Sequence, residues 1–424
     1  MIYRFNDLTV TDNTKEIGKD TLFLLTGQNR KYFDFNSPHI TPKELMKKLG
    51  LEDMQIVGVT GTNGKTTTTA AIYSILTDLG RKSALQGTRG FFIDDNMVEG
   101  KSLTTPSILQ TIYRIFQAKK AGAQYFIMEV SSHAIAQNRI EGLEFALKVF
   151  TNISQDHLDY HKTMKNYIYT KSSFFQDDSP KLINKDDENI SYNFIGARTY
   201  GVENMATYKI AAYSLEEGIN AILGFGKELH NFYSPLMGLF NLYNITAAIG
   251  AVHMLTNEDL KVICESVENF GGVRGRMEIV SYEPLVIVDF AHTPDGMQKV
   301  YESFPYKNIV TVFGAGGERD RDKRPKMGSV AARFCSRIYL TSDNPRSEDA
   351  ASIIEDIKKG ITPDKPVHTI KEREEAIKSA IASLKDGEIL LILGKGDEEY
   401  MEIEGEKHPF NDVEIVKKYL KENL

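Results

Sequence analysis

The run Gly61-Thr62-Asn63-Gly64-Lys65-Thr66-Thr67 holds the residue types a nucleotide phosphate needs. Glycines 61 and 64 let backbone N–H groups approach an anion closely, and a helix N-terminus behind them adds partial positive charge. Lys65 adds a full charge, and the Thr66 hydroxyl can ligate Mg²⁺. The spacing is GxxGKT, because Val59 and not glycine stands five residues before Gly64. Three elements must position these groups: a β-branched run (Ile56, Val57, Val59), the glycine turn, and a helical pattern reaching Leu76. A chance glycine turn opening a helix reads similarly. The strand before it and the Lys-Thr after it favour an ATP-phosphate site.

A chain of 424 residues exceeds what one hydrophobic core serves, so two or three domains are expected. The formal charge of −7 gives no reason to expect nucleic acid. Two cysteines far apart, Cys264 and Cys335, suggest no disulfide framework and fit a reducing cytoplasm. Both lie in what read as apolar helical patterns. The first residues have neither a basic opening nor an apolar run, and no stretch of about 18 apolar residues follows, so no signal peptide or membrane insertion is expected.

Residues 1–50 predict a small α/β cap, with a strand at 21–25 and a helix opened by Thr41-Pro42. From 51 to 275 strands and helices alternate, which predicts a mostly parallel sheet around the phosphate loop. Two apolar runs there end in Glu129 and Asn152, which fall near the phosphates if these strands neighbour the first. Residues 181–235 read as shorter strands forming an antiparallel edge, followed by a helix over 241–255. From 276 to 424 a Rossmann-like α/β unit is expected. Its four buried strands are each followed by a polar motif: DFAHTPD, GAGGERDRDKRPKMG, SDNPRSED and GKGDEEY. The fold class is therefore α/β in three domains, with the active site between them.

The motifs TGTNGKTT (60–67), LTTP (103–106), EVSSHAIAQNR (129–139), TNISQDHLDYH (151–161), Lys171, FNLYN (240–244), GRME (275–278), DFAHTPD (289–295) and GGERDRDKRP (316–325) run in one order along the chain. Together they resemble the Mur ligases, which build the peptide of bacterial cell-wall precursors. DNPR (343–346) with GKGDEEY (394–400) is similar to the members that add the third residue as meso-diaminopimelate. The resemblance implies an ATP- and Mg²⁺-dependent monomer that joins meso-diaminopimelate to UDP-N-acetylmuramoyl-L-alanyl-D-glutamate through an acyl phosphate. Within the superfamily a folylpolyglutamate-type ligase, or one for another amino acid such as L-lysine, stays open. So does a P-loop switch that makes no bond.

By resemblance, Lys65, Glu129, His157 and Lys171 are catalytic: Glu129 holds Mg²⁺ with Thr66, His157 holds a second ion, and Lys171 carries CO₂ as a metal-bridging carbamate. Alone, these read as a solvated acid, a capping or packed histidine, and an exposed helix lysine. Asn241, Asn244, Arg276 and His292 resemble residues around the nucleotide. Thr14, Gln28, Thr104, Thr105, Ser131, Gln137 and Arg139 resemble contacts to the UDP-muramoyl-dipeptide, although Ser131 also reads as a helix cap and Arg139 as surface. Arg346 falls where the family places a guanidinium on the far carboxylate of diaminopimelate, a bidentate match no neutral residue copies. Arg319, Asp343, Asn344, Pro345, Gly394 and Glu398 complete that pocket, whereas a plain Asn-Pro turn is the competing reading. Asp397 stands where histidine is common, and the amino-terminal domain is short.

Overall fold

The computed structural model describes residues 1–422 apart from Phe35 and Asp95. Strand Gln55–Thr60 is buried from its second residue on and lies in the middle of an eleven-stranded sheet. Its neighbours are Tyr125–Glu129 and Phe145–Phe150, both parallel to it, with Val59 level with Glu129 and Thr60 level with Phe150. Lys181–Asn184, Ala197–Gly201 and Tyr208–Ser214 continue the parallel sheet on one side. The antiparallel edge expected over 181–235 is confined to Ile219–Phe225 and Glu228–Ser234. On the other side Ser83–Gly87 is parallel, and Gly90–Ile93 and Asn96–Glu99 turn back antiparallel.

Helix Lys65–Asp78 begins where Gly64 adopts the left-handed conformation. Its threonines are poor helix formers, but Thr69 returns its hydroxyl to the carbonyl of Lys65 at 2.9 Å. Helix Leu239–Thr256 packs beside it; its Ala247, Ala248, Gly250 and Ala251 are buried, which admits the close approach of strands as well as helix.

The amino-terminal segment forms a four-stranded sheet and helix Pro42–Lys48, whose Thr41 and Glu44 make a reciprocal capping box. Phe5, Val10, Leu24 and Leu45 share one apolar cluster with Phe91, Ile112 and Phe116, so this cap buries its main face against the central sheet.

The last unit is a six-stranded sheet. Glu278–Tyr282 pairs antiparallel with Leu285–Asp289, and Glu388–Leu393, Asn308–Phe313, Cys335–Leu340 and Val367–Thr369 follow in parallel. Asp289, Leu393, Phe313 and Leu340 lie level, so the four polar motifs emerge along one edge. Cys264 is helical as read, but Cys335 opens a strand; both are buried free thiols. No described helix is long and apolar enough to cross a membrane.

Candidate active site

Gly61 and Gly64 sit in left-handed backbone, at φ 152° and 85°. The space beside each is filled: a Cβ on Gly61 would lie 1.9 Å from Thr151 Oγ1, and one on Gly64 2.3 Å from Asn244 Oδ1. Glycine is therefore required twice over. Asn152, at the end of the neighbouring strand, shapes the loop. Its Oδ1 accepts from Asn63 N at 3.0 Å, its Nδ2 donates to Asn63 O at 3.0 Å, and its carbonyl accepts from Thr62 N at 2.7 Å. Lys65 Nζ donates to Gly61 O and Thr62 O at 2.9 and 2.8 Å, and burial draws its pKa down.

Glu129 is 1% exposed, which rules out the solvated acid. Thr66 Oγ1 donates to its Oε2 at 3.0 Å, and Thr88 N donates to its Oε1 at 2.8 Å. An oxygen pair of this kind at a helix N-terminus suits a hard divalent cation that takes its other ligands from phosphate and water. Among the described residues no three His, Cys, Asp or Glu side chains converge as a protein-only metal cage.

His157 caps the short helix Leu158–His161 in a left-handed conformation, φ 54°. Its Nε2 lies 3.3 Å from Asp156 Oδ2 and its ring 4.8 Å from that of His133. Burial pushes its pKa down to about 4 against the pull of Asp156, leaving a neutral imidazole. Lys171 is 1% exposed, not the exposed helix lysine of the plain reading. Its Nζ donates to Gly61 O at 2.8 Å, and burial together with the charge of Lys65 holds its pKa well below the ordinary lysine value.

Asn63, Gly64, Thr67, Asn244, Arg276 and His292 line one cavity of about 590 Å³ between the phosphate loop and the last domain. Asn241 stands behind it, accepting from Asn244 Nδ2 at 3.0 Å. Arg276 stacks its guanidinium 4.2 Å from the centre of the Phe290 ring. His292 Nδ1 is 2.9 Å from the Phe290 carbonyl.

Four of the residues assigned to the peptide substrate converge. Arg139 Nη1 donates to Thr105 O at 3.0 Å and its Nε to Gln137 Oε1 at 2.9 Å, and Ser131 N donates to Thr105 Oγ1 at 3.0 Å. Thr105 Oγ1 in turn donates to the Glu129 carbonyl at 2.9 Å, tying the group to the strand that ends in Glu129. Thr104 joins through Thr88 Oγ1, 3.1 Å away. Ser131 also caps helix Ser132–Ala136, its hydroxyl accepting from Ala134 N, as its plain reading expects. Gln28 is exposed beside Gly27, whose N–H donates to Glu141 at 2.9 Å, close to that loop. Thr14 opens an exposed 3₁₀ turn, and no hydrogen bond or ion pair among the described residues joins it to the others.

In the last domain Asn344 Oδ1 accepts from Lys395 Nζ at 3.0 Å, and its Nδ2 donates to Glu398 Oε2 at 2.9 Å. Asp343 is buried; Lys395 and Arg373 overcome that burial and hold its carboxyl below the usual range. A Cβ on Gly394 would lie 2.5 Å from Asp343 Oδ2, and one on Gly317 only 1.9 Å from the Pro345 carbonyl. Arg346, at φ 54°, donates from Nη1 to Gly317 O at 2.6 Å and from Nε to Glu402 Oε2 at 3.1 Å. Arg319 is exposed, with its Cγ 3.7 Å from where Gly316 would carry a Cβ.

The two crevices face each other. Asn63 Nδ2 donates to Asp295 at 2.9 Å, Gln155 Nε2 to Asp320 at 3.1 Å, and Lys326 Nζ to Gln155 at 2.8 Å. Sequence reasoning passed over three charged groups here. Burial opposes ionisation of Asp156, but its surroundings, His157 with its backbone N–H, His292 and Lys323, hold it at about 2. Lys323 is 6% exposed between Asp156 and Asp343, and Lys395 is fully buried. Asp156 and Lys323 stand inside quoted motifs, so position after a buried strand was the available signal.

The family model described as "Mur ligase middle domain" matches residues 59–252, and "Mur ligase, glutamate ligase domain" matches 275–396. The chain is 53% identical to a UDP-N-acetylmuramoyl-L-alanyl-D-glutamate–2,6-diaminopimelate ligase of Wolinella succinogenes, over 96% of this chain and 95% of that one. It is 48% identical to the protein of the same name from Helicobacter pylori, covering 97% and 95%. The solved structure of a ligase so named superposes with a TM-score of 0.64 at 32% identity, covering 98% and 86%. A folylpolyglutamate synthase of Mycobacterium tuberculosis, solved with ADP and AMPPCP, is alike in fold alone, with a TM-score of 0.67 at 18% identity over 83% and 91%. A glycine turn aimed at phosphate, a carboxylate beside it and a second pocket facing both are thus parts of one inherited plan: the chain belongs to the Mur ligase family.

Proposed function

We propose that this protein is an ATP-dependent ligase that joins meso-diaminopimelate to UDP-N-acetylmuramoyl-L-alanyl-D-glutamate, acting as a monomer in the cytoplasm on precursors of peptidoglycan. The observation that carries the reading is the facing of the phosphate loop and the Arg346 pocket across one cleft, joined by Asn63–Asp295 and Gln155–Asp320. Residues 1–50 serve the UDP end of the first substrate, 51–275 the nucleotide, and 276–424 the incoming amino acid.

A carboxylate is a poor electrophile, because oxide is a poor leaving group. Transfer of the γ-phosphoryl of ATP to the carboxyl of the D-glutamyl residue forms a C–O–P linkage and releases ADP. The amine of diaminopimelate then attacks that carbonyl, the C–N bond forms, phosphate leaves with the C–O electrons, and the amine sheds a proton. Between anions such a transfer needs positive charge and fixed positions. Lys65 and the N–H groups of 61–66 supply them for the phosphates, with Arg276 and His292 on the far wall. Mg²⁺ fits Thr66 with Glu129, whose oxygens lie 3.0 Å apart, and His157 presents a neutral ring; when bound it screens the phosphate charges. Burial and the charge of Lys65 draw the Lys171 pKa down and so favour the free amine, the form that combines with CO₂: an N–C bond forms, one proton leaves, and the lysine becomes an anion. Arg346 then selects the amino acid bearing a second carboxylate.

The decisive assay is ADP release by the purified protein given the UDP-muramoyl-dipeptide with meso-diaminopimelate, with L-lysine, or with no amine. Release that requires the dipeptide and an amine, and runs far faster with diaminopimelate than with lysine, is expected. Release without any amine, or equal rates with lysine, would overturn the reading.

A further inference from the structure

We propose that Glu402 is the positioning residue of the amino-acid pocket: it fixes the plane of the Arg346 guanidinium so that its free edge meets the distal carboxylate of the incoming amino acid. This rests on the assignment of Arg346 made under Proposed function.

An arginine on its flexible stem occupies many rotamers, and bidentate recognition of a carboxylate demands one orientation of a planar fork. Here the plane is pinned at two points. Nε donates to Glu402 Oε2 at 3.1 Å, and Nη1 donates to the Gly317 carbonyl at 2.6 Å. Nη2 carries no hydrogen bond among the described residues, and Nη1 keeps a second N–H, so the Nη1–Nη2 end of the fork has donors left for a carboxylate. Gly317 O fixes a single point; a second is needed to stop rotation about it, and Glu402 is the group that supplies it.

Glu402 is itself placed with unusual thoroughness for a residue 29% exposed. It lies in strand Tyr400–Ile403, one arm of a two-stranded hairpin with Glu406–Pro409 that joins neither large sheet. Its backbone is tied to the same DNPR turn it serves: Glu402 O accepts from Arg346 N at 3.0 Å, and Glu402 N donates to Asn344 Oδ1 at 2.9 Å. Glu404 N adds a bond to Arg346 O at 2.8 Å. The hairpin therefore holds the backbone of Arg346 in its left-handed conformation and its side chain in one plane through neighbouring residues.

The role is one of geometry rather than charge, since the bond to Nε needs only an acceptor oxygen. The test uses the full chain with ADP release as readout, varying meso-diaminopimelate or L-lysine at saturating ATP and UDP-muramoyl-dipeptide. E402A is expected to raise the KM for diaminopimelate about tenfold, the scale of one oriented charge-assisted hydrogen bond, with kcat close to wild type. The KM for lysine, which has no distal carboxylate, should not move. E402Q keeps the acceptor and should stay close to wild type, while E402D keeps the charge but draws it back by one methylene and should behave like E402A; it carries the test if E402A does not fold. An unchanged KM in E402A and E402D, equal losses for both amines, or a loss in E402Q matching that in E402A would each overturn the proposal. R346A separates the two levels: if it retains full preference for diaminopimelate, the pocket assignment itself is wrong. If R346A loses that preference while the Glu402 variants do not, only the role of Glu402 falls.

Discussion

Gly87 ends strand Ser83–Gly87 without a left-handed backbone, so Gly87→Ala tests space alone. A methyl group there would lie 2.2 Å from Glu129 Oε1 and 2.9 Å from its Cδ. Carbon and oxygen need about 3.3 Å, so the carboxylate must retreat by roughly 1 Å. Glu129 is 1% exposed and cannot swing into water. Any retreat stretches its bonds from Thr88 N and Thr66 Oγ1, now 2.8 and 3.0 Å. The fold should survive, because the clash is with the tip of one side chain. A misplacement of about 1 Å at a reacting centre costs on the order of 100-fold, which is about 2.7 kcal/mol of activation free energy. ADP release across a Mg²⁺ titration should therefore show kcat/KM for ATP down by about two orders of magnitude and half-saturation displaced to higher Mg²⁺. Gly100→Ala, where a Cβ meets nothing within 4 Å, is the control and should be neutral. Wild-type turnover with an unmoved Mg²⁺ dependence in Gly87→Ala would show that Glu129 is not the group the chemistry needs.

Lys171→Ala should abolish ADP release, and mass spectrometry of wild type under CO₂ should show the added carbamate; full turnover in the variant would exclude that role. Arg346→Ala should weaken diaminopimelate binding by about 2–5 kcal/mol in calorimetry, since it removes the guanidinium that pairs with a desolvated charge. His157 and His161, both pushed down to about 4 chiefly by burial, are neutral in the fold but take up protons near their ordinary value of 6.5 once unfolded. The unfolded state then binds more protons over that window, so stability is expected to fall as the pH drops from 6.5 to 4, and melting curves recorded across it check the sign. Lys101 Nζ lies 3.1 Å from Asp397 Oδ2, joining the central domain to the GKGDEEY loop. Both groups are partly exposed, so Asp397→Asn should cost no more than about 1 kcal/mol of closure, vanish in high salt, and show as a larger radius in solution scattering.

The chemistry was most legible where a buried apolar run ends in a polar residue. Such a run, bounded by turn residues and rich in β-branched side chains, fits an inner strand whose last residue emerges at an edge of the sheet. Glu129, Asn152, Asp289 and Asn344 were all reachable that way. Pairing order was not, yet it decides that strands Tyr125–Glu129 and Phe145–Phe150 flank the phosphate strand. Lys395 was illegible because a lysine between two glycines reads as surface. Its burial depends on Asn344 and Glu398, the first 51 residues away. Glu402 lies two residues past the GKGDEEY motif, and only the fold brings it to Arg346. Lys171 reads as exposed on helical grounds, because the surface covering it is the loop carbonyl of Gly61, 110 residues distant. Cys335 misled for a simpler reason: an apolar run shorter than a dozen residues does not distinguish a helix end from a strand start.

The bonds that join the two crevices share one character. Asn63–Asp295, Gln155–Asp320, Lys326–Gln155 and Lys101–Asp397 are side-chain contacts between polar groups that water would satisfy equally well in an open form. Each is worth about 1 kcal/mol or less under such conditions. A handful of them cannot hold the domains shut by themselves against the freedom gained on opening. A ligand bound across the cleft, touching the phosphate loop on one side and the last domain on the other, would add to them.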